Sequence, residues 1–178
     1  MLPIFLAFAF IAILFIVVVA GRPDKFIVTR STQISAPPEK VFPHVNDFHK
    51  WEAWSPWAKM DPACKYSYSG TAAGVGAGFA WDGNKKVGAG GMTITESAPN
   101  DLIRIKLEFL KPFKATNTAE FTFKFAGNQT AVTWTMSGKN NFFFKAFGLF
   151  MNCDDMIGKD FAKGLAAIKS AVETSGNN

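Results

Sequence analysis

The sequence predicts an α+β fold: a curved antiparallel sheet of about seven strands wrapped around a long C-terminal helix, preceded by one N-terminal apolar helix. Three observations carry this expectation. Met1 to Ala20, MLPIFLAFAFIAILFIVVVA, contains no charged side chain. Leu102 to Phe109, Phe121 to Phe125 and Val132 to Met136 alternate apolar with polar residues, the period of half-buried strands. Beyond Asn140 the period becomes helical, and Met156, Phe161, Leu165, Ile168 and Val172 form one apolar stripe opposite Asp154, Asp155, Lys159, Lys163 and Lys169.

The elements follow in order. At about 1.5 Å per residue, a helix over residues 1–20 spans the roughly 30 Å hydrocarbon core of a bilayer. A cleaved secretory signal is the alternative: Val18-Val19-Ala20 before Gly21 has acceptable residue types, which would make the chain secreted or periplasmic. Against it, no Lys or Arg precedes the apolar run, and the run is longer than a signal requires. A buried core helix would need cover on every side of a uniformly apolar cylinder. Arg22, Lys25 and Arg30 follow at once and, by the positive-inside rule, put a tethered domain on the cytoplasmic side. Residues 1–20 are therefore read as a transmembrane anchor, 21–24 as a hinge, 25–174 as the folded domain and 175–178 as a tail.

Lys25 to Ile34 is rich in β-branched residues and predicts the first strand. Ala36-Pro37-Pro38-Glu39 ends it and opens a short helix, with Val41, Phe42 and Val45 on one face. Asn46 to Pro62 holds three tryptophans and two prolines and reads as a broken second helix and loop. Lys65 to Gly70 is a strand, and Gly78 to Trp81 with Val87 to Ser97 predicts a hairpin closed tightly around Asp82-Gly83-Asn84. The alternating strands complete the sheet, and the last, long helix buries its stripe against it. Such an arrangement leaves a cavity between sheet and helix unless large side chains fill it.

Composition narrows the function classes. The formal net charge is +5, but the basic residues are scattered, with no stripe suited to nucleic acid. Cys64 and Cys153 stand far apart in sequence, with neither a CxxC nor a Cys/His cluster, so neither a local metal site nor a disulfide scaffold is expected. No cofactor motif is present: Gly74-Val75-Gly76-Ala77-Gly78 lacks both the GxGxxG spacing and a Walker lysine, and reads as a loop or bulge. Nineteen Phe and five Trp suit an apolar cavity as well as a solid core.

The residues Ile34-Ser35-Ala36-Pro37 with Val41-Phe42, the Trp51 to Trp57 segment with Met60-Asp61-Pro62, Trp81 to Asn84, Gly88 to Met92, and Gly158 to Phe161 leading into Gly164-Leu165 resemble the START-like (SRPBCC) superfamily, in particular its polyketide cyclase/dehydrase-like branch. The resemblance covers Lys25 to Glu173. It implies a helix-grip fold with a pocket between the sheet and the C-terminal helix, open near the short helices and the loops after them. Trp54 and Trp57 would then stand near the entrance. Trp81, Met92, Ile94, Phe109, Phe121, Phe123, Trp134 and Met136 would line the pocket, and Phe150, Met151 and Met156 would close it from the helix side.

Catalytic chemistry has few candidates. His44 and His49 are five apart, which does not place them on one helical face, and with Asp82 they are the titratable groups to examine first. Asp154-Asp155 are adjacent, so their side chains diverge by about 100° on a helix and do not converge on one substrate. The leading expectation is a membrane-tethered domain that binds or transfers a hydrophobic small molecule or lipid, with the membrane as its partner through Met1 to Ala20. A cyclase/dehydrase-like enzyme acting on an apolar aromatic substrate, and an interaction module whose pocket is filled by its own rings, are the alternatives.

Overall fold

A computed structural model describes residues 1–140, 142–149 and 152–175. The elements run α1 (Leu2–Ala20), β1 (Lys25–Ile34), α2 (Pro38–Asn46), a 3₁₀ helix (Phe48–Ala53), β2 (Lys65–Ser69), β3 (Gly78–Asp82), β4 (Ala89–Ala98), β5 (Leu102–Lys111), β6 (Ala115–Ala126), β7 (Gln129–Lys139), α3 (Phe142–Phe147) and α4 (Cys153–Ser175). All seven strands join one antiparallel sheet in the order β1-β7-β6-β5-β4-β3-β2. Consecutive strands from β2 to β7 are neighbours, and β1 returns to pair with β7. The expected α+β architecture is borne out.

The alternation read from sequence sets the faces. Ile103, Ile105 and Leu107, then Phe121 and Phe123, then Val132, Trp134 and Met136 are buried on the inner face, where they meet Phe161, Leu165, Ile168 and Val172 of α4. Two bulges, at Thr95 and at Leu110, interrupt the β4–β5 register and leave each residue without a cross-strand partner. Bulges sharpen local twist and bend a strand, which helps the sheet curl over the helix.

Polar contacts fasten α4 to β1 at both ends. Arg30 donates to both carboxylate oxygens of Asp154, at 3.2 and 3.0 Å, and crosses so close to Gly158 that any Cβ there would overlap the guanidinium. At the far end the Ser35 amide donates to Glu173 at 2.7 Å, and Lys169 Nζ donates to the Gln33 carbonyl at 2.8 Å. The Ser35 hydrogen bond holds the Glu173 carboxyl below its usual range.

Four expectations need correction. The β3–β4 connection is the loop Gly83 to Gly88, not a tight turn at Asp82-Gly83-Asn84. Buried Asp61 organises it by accepting from the Asn84 amide at 2.7 Å. The final helix is two helices, α3 and α4. Met156 belongs to the stripe by spacing but is 47% exposed, because the first turns of α4 stand over an open pocket and not over packed side chains of the sheet. Phe125 is 55% exposed because β6 has reached its hairpin end there, two residues before Gly127.

Candidate ligand pocket

Between the sheet and α4 the inner face divides into a filled end and an open end. The filled end is aromatic. Trp134 on β7 stacks on Phe161 of α4 with centroids 3.9 Å apart and planes 5° apart, and on Phe121 at 4.7 Å. Trp54 and Trp57 meet Trp134 edge to face at 5.7 and 5.8 Å. The tryptophans after α2 have a structural duty as well. A helix ends with unpaired carbonyls, and Trp51 Nε1 and Trp54 Nε1 donate to the α2 carbonyls of Val45 and His44, each at 2.9 Å. Trp54 is therefore buried core and not an entrance residue.

The open end is a half-open, mostly apolar pocket of about 780 Å³, within the range that accommodates a drug-sized ligand. Its inner wall is Phe26 of β1, Phe109 of β5, Asn117 of β6 and Met136 of β7. Pro112 and Phe113 of the β5–β6 turn, Phe144 and Phe147 of α3, Leu149, and Met156 and Ile157 of α4 complete it, with Arg22 and Pro23 at the foot of α1. No residue of α2, the 3₁₀ helix or the loop after it belongs to this pocket, so it opens at the end of the sheet opposite the one expected from the resemblance.

Of the residues named from sequence, Phe109, Met136 and Met156 line this pocket. Trp54, Ile94, Phe121, Phe123 and Trp134 are buried in the core, and Trp57, Trp81 and Met92 are partly buried against it. Trp81 Nε1 is spent on the Val87 carbonyl at 3.1 Å. Phe150 and Met151 lie outside the described residues. Sequence reasoning missed Phe26, Asn117, Phe113 and Ile157. Asn117 could have been found: stepping the Phe123-Phe121 alternation back by twos reaches Ala119 and then Asn117 on the same inner face.

Asn117 is the pocket's buried polar side chain, and its amide makes no side-chain hydrogen bond among the described residues. It lies over Gly138, its partner across β6–β7, where a Cβ would overlap the amide oxygen. The charged lining is mostly cationic, with Arg22, Lys25, Lys111 and Lys145 against a single carboxylate, Asp154, which is itself held by Arg30. Lys145 forms an ion pair with Asp24, and its hydrogen bond and charge hold that carboxyl below the usual range. Lys111 pairs with Asp82 at 3.1 Å.

The titratable groups considered for catalysis lie elsewhere. His44 is half-buried in α2, and burial, with Lys50 nearby, lowers its pKa. His49 stacks on Tyr68 at 4.0 Å and contacts Asp47 through Nδ1 at 3.0 Å. Burial pushes the Cys64 thiol up and Tyr66 up to about 12, so both stay protonated at neutral pH. Among the described residues no three His, Cys, Asp or Glu side chains converge as a metal site.

Sequence comparison matches residues 25–173 to the family described as polyketide cyclase / dehydrase and lipid transport. The chain belongs to that family. No curated protein sequence matched it. The fold is similar to the Aha1 dimer structure from Colwellia psychrerythraea, with a TM-score of 0.59 at 19% identity, covering 83% of this chain and 96% of that one. Protein MLL2253 from Mesorhizobium loti gives 0.61 at 17% identity, covering 84% of this chain and 98% of that one. DynU16, of the dynemicin biosynthetic locus, gives 0.57 at 15% identity, covering 86% of this chain and 49% of that one. These likenesses bear out the START-like resemblance at the level of fold. In this polyketide cyclase/lipid transport domain, Arg22 and Pro23 of the pocket lie before the matched region.

Proposed function

We infer that the domain binds a hydrophobic small molecule or lipid in the pocket at the open end, and that α1 tethers it to a membrane. The observation that carries this reading is the mostly apolar space of about 780 Å³ left between β1, β5, β6, β7 and the start of α4. Each ~100 Å² of ligand surface removed from water there contributes about 2.5 kcal/mol. A ligand must bury enough to exceed an association cost of at least about 4 kcal/mol. Asn117, buried and without a side-chain hydrogen bond among the described residues, is the group suited to orient a hydroxyl or carbonyl on an otherwise apolar molecule. None of His44, His49 and Asp82 lines this pocket, which favours binding over acid–base catalysis as its role.

The tether is supported by Pro3–Ala20, a helical segment long and apolar enough to cross a bilayer. The cations that follow it favour a cytoplasmic domain. Anchoring would raise the domain's local concentration at an apolar ligand's source. The direct test is organic extraction of the purified full-length protein followed by mass spectrometry, beside an Ile157→Trp variant that fills the pocket. One class of apolar molecule should be enriched on the parent and depleted on the variant. Absence of any co-purified or exchangeable apolar ligand overturns the reading. Retention of the chain in membranes after an alkaline wash tests the tether separately.

A further inference from the structure

We propose that α3 and the β5–β6 turn form a second membrane contact, an aromatic seat that lies in the interface of the leaflet from which α1 emerges and turns the pocket mouth toward that leaflet. The proposal rests on the reading of α1 as a membrane span. Val19 supplies the first observation. Pro3–Ala20 is almost wholly exposed, yet Val19 is fully buried, because the foot of α1 packs against α3. The joint is fastened by polar contacts: Arg22 donates to the Gly148 carbonyl at 2.7 Å, Lys145 pairs with Asp24, and the Asn140 amide donates to the Asp24 carbonyl at 2.8 Å. Residues 21–24 thus fix α3 at the level where α1 would leave the hydrocarbon.

At that level the surface is apolar. Leu110, Phe113, Phe142, Phe143 and Phe147 are 57, 48, 49, 52 and 39% exposed, and Phe113 meets Phe143 at 4.9 Å across the gap between turn and helix. Phe125 and Ile27 are exposed too, but they lie on β6 and β1 outside this cluster. A contiguous patch of this kind is a liability in water and is stabilised where rings can enter an acyl boundary. Leu110 follows the pocket-lining Phe109 on β5, so strand alternation already turns it away from the pocket.

Charge fits the same occupant. The segments 110–114 and 142–149 contain Lys111, Lys114 and Lys145 and no acidic residue; Lys111 and Lys145 are paired with Asp82 and Asp24, so the excess positive charge is carried by Lys114 together with the flanking Arg22 and Lys25. Aromatic rings with interspersed cations suit a leaflet containing anionic lipid. Phe113 and Phe147 belong both to the exposed patch and to the pocket lining, so seating the patch would bring the pocket's mouth to the headgroup level.

The test uses the full chain in vesicles of phosphatidylcholine and phosphatidylglycerol, with Cys64 and Cys153 replaced by Ser. An environment-sensitive fluorophore is placed singly at Phe143→Cys, Lys114→Cys, Leu14→Cys or Asn128→Cys, and quenching by spin-labelled lipid is measured. The expected result is quenching at 143 and 114 about threefold above that at 128, with 14 quenched most strongly. Quenching at 14 with none above background at 143 and 114 overturns the seat and leaves the tether standing. No quenching at 14 overturns the tether and the seat with it. In the Phe113→Ser/Phe147→Ser double variant, the label at 114 should lose most of its quenching while the label at 14 keeps it. Unchanged quenching at 114 shows that the rings do not hold the domain down, and overturns the proposal.

Discussion

The two ends of the sheet–helix interface use the same strands and the same helix, yet one is solid and the other open. At the α2 end, rings arrive from three layers: Phe121 and Trp134 from the sheet, Phe161 from α4, and Trp51, Trp54 and Trp57 from the segment after α2. At the α1 end the sheet contributes Phe26, Phe109, Asn117 and Met136, but the cover is made of short pieces: α3, six residues long, the β5–β6 turn, the foot of α1 and the exposed first turns of α4. A void survives where the third layer is too short to fill it. The contrast explains how one fold can be well packed and still leave room for the ligand proposed above: the filled end contributes stability, and the open end keeps the space.

The largest way to break this comparison is to truncate one residue at each end. Trp134→Ala should cost about 3–5 kcal/mol, because the stack it leaves cannot collapse, whereas Met136→Ala, with the pocket already beside it, should cost about 2 kcal/mol. Equal losses in chemical denaturation would mean that the two ends are packed alike. Gly158→Val should cost about 1–3 kcal/mol by displacing Arg30 from Asp154, and should loosen the start of α4 on the pocket side. Hydrogen exchange in α4 should then rise near Ile157 and stay low near Ile168.

A smaller effect is expected at Asn117. Asn117→Leu removes a buried amide that has no side-chain partner among the described residues, so its stability change should stay within about 1 kcal/mol. Binding of a hydroxyl-bearing apolar probe should weaken about tenfold relative to a plain hydrocarbon chain, read by competition. The smallest effect concerns pH. The folded pKa of His44 lies below its ordinary 6.5, so the unfolded chain binds the proton more readily, and stability falls as pH drops below that value toward the folded one. His44→Gln should flatten this part of a Tm-against-pH curve without altering ligand binding, because His44 belongs to the filled end. An unchanged slope would assign the dependence to another group.

Much of this was legible locally. Alternation at Ile103, Ile105 and Leu107 and at Phe121 and Phe123 identified the inner face, and Phe161, Leu165, Ile168 and Val172 identified the face of α4 that meets it. The candidate site was less legible. Trp54 and Trp57 read as an entrance because the resemblance implied an opening beside the short helices, but the Trp54 indole caps α2 and both rings pack on Trp134. Phe26 and Asn117 share the strand period with their buried neighbours and could have been named, but Phe113, Ile157 and Arg22 come from three separate segments that no spacing connects.

Taken alone, the sequence determined the order of elements, the apolar span at the start, the inward face of each strand and the absence of a recognisable cofactor motif, because periodicity and capping act over a few residues. Tertiary structure alone decided which end of the interface is filled. That depends on how far apart β7 and α4 lie and on which third element reaches between them, and residues such as Trp54 and Trp134 meet only after the chain between positions 54 and 134 has folded back.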